Sequence, residues 1–226
     1  MSIDFTTLRA LALRIAPELQ ACSPLYFVSR PAGYPVPAGL LAFASAGVDS
    51  ALRRDLVSRG EWQGQGSLIC LVAPPADRES LAGLMLHEIS HLLPAERPWP
   101  DDPLSPGAAA LEATVRHDWA AHGERLLPFP WTGHNACFLR RAIHLRWRAA
   151  KAGRPVPFPA VVVGWHYGLR PLVRYAAALA DEPQRFAAAD FATIQATPAP
   201  IAFSDLFAND VRNWMSDNSQ GTHDGV

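Results

Sequence analysis

Leu84-Met85-Leu86-His87-Glu88-Ile89-Ser90-His91-Leu92-Leu93 is the stretch on which the reading of the chain turns. Leu81, Leu84, Met85, Leu92 and Leu93 recur at helical intervals, and Arg78-Glu79-Ser80-Leu81, following the Pro74-Pro75 breaker, predicts where the helix begins. Residues four apart on a helix share a face one turn apart, so His87 and His91 offer two imidazoles to one metal ion. Glu88 is turned by about 100° around the axis. From there it is better placed to take a proton from a water molecule than to be a third ligand. The competing reading has two buried histidines satisfied by carbonyls or waters, with Glu88 at the solvent edge. A buried helix with His, Glu and His on neighbouring turns bears a desolvation cost, which a metal ion and its hydrogen-bonding surroundings offset.

Two histidines do not complete a catalytic zinc site, which takes three protein ligands and leaves a position for water. A third ligand is therefore expected downstream. The leading candidate is His134, in Trp131-Thr132-Gly133-His134-Asn135-Ala136-Cys137-Phe138. Gly133 loosens the backbone before it, Asn135 is suited to cap the following helix, and Phe138 falls on the face that would pack beneath the site. Glu112, in an expected helix from Ala108 to His122, and the pair His117-Asp118 are alternatives. Cys137 is a further rival, although packing beside Phe138 is its simpler role. His144, on the expected helix after His134, and Trp165-His166-Tyr167, after the strand-like Ala160-Val161-Val162-Val163, are read as structural.

Taken together, His87-Glu88-Ile89-Ser90-His91 and Gly133-His134-Asn135-Ala136-Cys137-Phe138 resemble the zincin metallopeptidases of the SprT-like type, whose third histidine sits in a short His-Gly-x-x-Phe-like element. The resemblance implies Zn2+ held by His87, His91 and His134, with Glu88 as the catalytic base for peptide-bond hydrolysis. It covers the two motifs and the helices bearing them. Asn135 stands where the glycine is usual, the spacer of 42 residues (92–133) is long, and the chain has no cysteine quartet for a zinc ribbon. The wider zincin class is therefore what the resemblance supports.

The expected fold class is α+β and zincin-like: a small mixed sheet packed against the metal-binding helix, with additional C-terminal helices. Helices are expected at Leu8 to Leu19, Ser50 to Arg59, from Ala136 to about Ala150, Leu169 to Ala180 and Phe203 to Met215, and strands at Leu25 to Val28, Leu40 to Phe43 and Leu68 to Val72. Ala187 to Pro200 is expected to pass across the surface. Residues 1–215 are read as one domain, with a proline-rich loop at 94–107 and a disordered polar tail at 216–226.

Composition bounds the rest. A chain of 226 residues that is 49% hydrophobic buries one substantial core without staples. Cys22, Cys70 and Cys137 form neither a disulfide framework nor a metal knuckle. The opening residues do not read as a secretory signal and no stretch is of spanning length, so a cytoplasmic location is expected, with no membrane partner. A net charge of -1 gives no general attraction to nucleic acid. The basic cluster Arg140, Arg141, Arg146, Arg148, Lys151 and Arg154 is expected to be a solvated helix face, with an acidic-partner patch as the alternative. The expected function is zinc-dependent hydrolysis of a peptide or protein substrate. The alternatives are a zinc-supported structural or protein-interaction domain without activity, and a metal-free interaction protein.

Overall fold

The computed structural model describes residues 3–20, 24–36, 40–45, 50–93, 134, 136–161 and 170–220. In order these form α1 (Phe5–Ile15), a 3-10 turn (Pro17–Gln20), β1 (Leu25–Ser29), β2 (Ala42–Ser45), α2 (Ser50–Ser58), β3 (Ser67–Leu71), α3 (Arg78–Leu92), α4 (Ala136–Lys151), α5 (Phe158–Val161), α6 (Arg170–Ala178), α7 (Glu182–Arg185), α8 (Phe191–Ala196) and α9 (Ile201–Gln220). The chain is thus mixed α+β. It divides into two compact units, one of residues 1–94 and 141–169, the other of residues 95–140 and 170–226.

The first unit is built on a three-stranded sheet of order β1-β3-β2, with β1 parallel and β2 antiparallel to β3. The apolar run Ser67–Leu71 becomes the central strand, and all five of its residues are buried, as a strand covered on both faces requires. The register sets Val28 beside Cys70 and Phe43 across from it, so these residues share one face. There they meet Leu52 and Leu56 of α2 and the indole of Trp62 in one apolar cluster. Phe27, Ile69 and Ala44 fall on the opposite face. Helix α3 packs against β2 and β3, and α1 packs against β1 and α3.

Helix α3 starts where Asp77 caps it, its carboxylate accepting from the Ser80 amide at 2.7 Å. That hydrogen bond holds the Asp77 carboxyl below its ordinary pKa. From Gly83 through Ser90 every residue is buried, so the helix is covered on all sides rather than lying on a surface. At its far end the Arg141 guanidinium of α4 donates to the Leu93 carbonyl, a cation at the negative end of the helix dipole.

In the second unit, Tyr175 of α6 packs against Phe203 and Phe207 of α9, and its hydroxyl donates to Asp210 at 2.8 Å. Arg140, 1% exposed, donates through Nε to Glu182 at 2.6 Å and through Nη1 to the Thr197 carbonyl at 2.8 Å.

Several expectations change. Ala160 and Val161 close a short helix instead of opening a strand, with Pro157 accepting from the Ala160 amide. The stretch expected to pass across the surface includes helix α8, capped by Asp190 on the Thr193 amide, which buries Phe191 and Ile194. Helix α9 runs to Gln220, past Met215 where the final helix was expected to end. The basic cluster is not an open solvated face: Arg140 and Arg141 are buried, Arg146 covers the Phe158 ring, and Arg148 pairs with Glu18 at 2.8 Å. The proline-rich loop 94–107, the helix expected from Ala108 to His122, Cys22 and Trp165-His166-Tyr167 lie outside the described residues. Among the described residues no helix is long and apolar enough to cross a membrane.

Candidate metal centre

His87 and His91 occupy successive turns of α3, with ring centroids 5.1 Å apart and planes inclined by 71°. Their Nε2 atoms are 3.3 Å apart. Two ligands about 2.0–2.1 Å from one tetrahedral zinc ion stand roughly 3.3–3.4 Å from each other. The pair is therefore spaced as two zinc ligands would be. His87 is buried and its Nδ1 lies 3.0 Å from the Val161 carbonyl oxygen. A carbonyl only accepts, so Nδ1 is the donor of this hydrogen bond, and in the neutral ring that leaves Nε2 as the nitrogen able to bind a metal. A metal-binding histidine is held in this way, its second nitrogen fixed by an acceptor.

His134 completes a group of three. One ligand atom from each of His87, His91 and His134 lies within 4.8 Å of the others. The ring of His134 stands edge-on to Phe138 at 4.7 Å and 90°, so the phenyl group one turn into α4 supports the histidine just ahead of it. Exposure increases from the buried His87 through the half-buried His134 to the exposed His91, so the group has an open side. Three imidazoles in such a group suit a transition-metal ion such as zinc, copper, iron or nickel. Glu112 and His117, the rival ligands, fall outside the described residues. Cys137 is half-buried in the first turn of α4, and the metal group does not include it.

Glu88 is 4% exposed, not at the solvent edge. Burial pushes its carboxyl up to about 8, and a hydrogen bond from the Ala44 amide in β2 pulls in the opposite direction without cancelling the shift. A carboxyl poised near neutrality exchanges a proton readily with water or an amine. The backbone groups of Ala44 and Val161 are parts of the site that side-chain motifs do not announce. His144 is buried within α4 and is not among the metal-binding group.

Comparison with protein-family models, with curated proteins and with solved structures finds no match for this chain. The class that fold and site define is accordingly a mixed α+β protein carrying a three-histidine group of metal-binding geometry.

Proposed function

We propose that the protein is a zinc-dependent peptidase of the zincin class, acting on a peptide or protein. The observation that carries this reading is the buried, proton-poised Glu88 directly after His87 on a helix whose two histidines are spaced as zinc ligands. His87, His91 and His134 would hold the ion. Bound zinc supplies Lewis acidity, which makes water easier to deprotonate and polarises a carbonyl.

Glu88 takes a proton on its carboxylate from the attacking water and later returns it to the leaving nitrogen. The Ala44 amide steadies the carboxylate while it is charged. Strand β2 is terminal in the order β1-β3-β2, and its Ala44 reaches Glu88. An extended peptide adding to that strand by main-chain hydrogen bonds would bring its scissile bond to the carboxylate. A zinc site that only braces the fold is disfavoured by the exposure of His91, since a structural site is closed by four protein ligands.

The test uses protein made without a histidine tag and purified without chelator. Elemental mass spectrometry is expected to find about one zinc per chain. Glu88→Gln is expected to keep the zinc while hydrolysis of an unfolded protein substrate falls by roughly 10²–10⁴-fold. Undiminished hydrolysis in that variant, or protein that takes up no zinc when supplied with it, would overturn the proposal.

A further inference from the structure

Gly83 stands within α3, four residues and so about one turn before His87. Glycine there costs about 1 kcal/mol of helix propensity relative to alanine, so its position calls for a reason in packing. That reason is α5. A Cβ at Gly83 would lie 2.3 Å from both the carbonyl carbon and oxygen of Ala160 and 2.5 Å from its Cβ. Backbone cannot yield to such an overlap by turning a side chain, so α5 would have to move away. The next residue, Val161, supplies the carbonyl that His87 Nδ1 meets at 3.0 Å. Ala160 against Gly83 and Val161 against His87 are therefore two points of one contact between helices.

We propose that Gly83 is a positioning residue that fixes the tautomer of His87. Its missing side chain lets α5 settle on α3, and the settled helix presents the Val161 carbonyl to Nδ1. The carbonyls of a helix's last turn have no acceptor role left within the helix, which makes this one available to a side chain. With the proton held at Nδ1, the Nε2 lone pair faces the Nε2 of His91.

Arg146 of α4 holds both the chain leading into α5 and its first residue. The Arg146 Nε donates to the Val156 carbonyl at 2.7 Å, and its guanidinium lies 3.7 Å from the centre of the Phe158 ring. Arg146 thus acts on His87 through the same short helix without touching it.

The consequence for zinc affinity rests on the reading of His87 as a ligand, whereas the tautomer can be read with no metal present. The experiment records long-range proton–nitrogen correlation spectra of 15N-labelled, metal-free full-length protein, with the His87 signals assigned by their loss in His87→Asn. The wild type is expected to show His87 protonated at Nδ1 alone. Gly83→Ala is expected to give a mixture of tautomers or the Nε2-protonated form, and to weaken zinc binding, measured by competition with a chelating dye, by roughly 10–100-fold. Arg146→Gln leaves α3 intact and is expected to shift the tautomer in the same direction; it carries the test if Gly83→Ala does not fold. An Nε2-protonated His87 in the wild type would overturn the proposal, as would an unchanged Nδ1-protonated ring in the folded variants. A tautomer that moves with the substitutions in a protein that binds no zinc would uphold the positioning role and sink the metallopeptidase reading.

Discussion

Glu88, in the middle of the histidine-bearing helix, is buried where that helix packs on the terminal strand β2, and the backbone of Ala44 in that strand pulls its pKa down. That pull offsets only part of the cost of burying the carboxyl, whose pKa is pushed from 4.5 up to about 8. A carboxyl raised on folding binds its proton more tightly in the native state than in the unfolded one. Metal-free protein should therefore carry no penalty from Glu88 below about pH 4.5, lose stability as the pH rises from there to about 8, and change no further on this account above it. Glu88→Gln removes the titration. After chelation, denaturant unfolding should find the variant more stable than the wild type by a few kcal/mol at about pH 8.5, and the gap should narrow towards about pH 5. A gap of constant size across that range would mean that Glu88 is not a buried titrating group.

The three-histidine group makes a separate prediction about the third ligand. His134→Ala should weaken zinc binding by more than the roughly 10–100-fold that loss of an outer partner costs, because a direct donor is removed. Glu112→Gln and His117→Ala should leave the affinity within a few-fold of the wild type. Competition titration with a chelating dye measures all three. Affinity lost in Glu112→Gln and kept in His134→Ala would transfer the role to the glutamate.

The helix spacing of His87, Glu88 and His91 was legible because a motif within one helix depends on a single local geometry. The apolar run of β3 and the helix breaks around it were legible for the same reason. His134 could be nominated from Gly133 and Phe138, although its approach to the other histidines depends on tertiary structure. Ala44 and Val161 were illegible, since a main-chain amide or carbonyl enters the site without any signature in residue type. Ala160 and Val161 read as strand because β-branched apolar runs favour both buried strands and buried helix turns. The arginines of α4 misled in a different way. Charge predicts solvent until a partner distant in sequence appears, as Glu182 does for Arg140 and the Leu93 carbonyl does for Arg141.

That buried pair allows a third prediction. Arg140 and Glu182 are each about 1% exposed in their side chains, so replacing Arg140 breaks a buried ion pair. Arg140→Ala should destabilise the protein by about 3–5 kcal/mol. The double variant Arg140→Met with Glu182→Leu should recover most of the loss, because two apolar groups of similar volume carry no desolvation cost. Urea denaturation of Arg140→Met, Glu182→Leu and the double variant supplies the cycle. Strictly additive losses would mean that the ion pair contributes nothing through its pairing.

The entry to the central strand provides the last prediction. Gly66 has φ of +88°, and a Cβ there would stand 2.2 Å from the Pro24 carbonyl oxygen, just before β1 pairs with β3 through Leu25 and Ser67. Gly60 has φ of +69° but nothing within 4 Å of the corresponding point. Both glycines satisfy a left-handed backbone, and only Gly66 also makes room for another strand's approach. Alanine at position 60 should therefore cost about 1 kcal/mol for backbone conformation alone, while alanine at 66 should cost that plus roughly another 1–3 kcal/mol for overpacking. Thermal and urea unfolding of the two variants measures the difference. If Gly66→Ala proves no worse than Gly60→Ala, the close approach of Pro24 does not set the pairing of β1 with β3, and the register must be held by Phe27, Val28, Ile69 and Cys70 within the strands themselves.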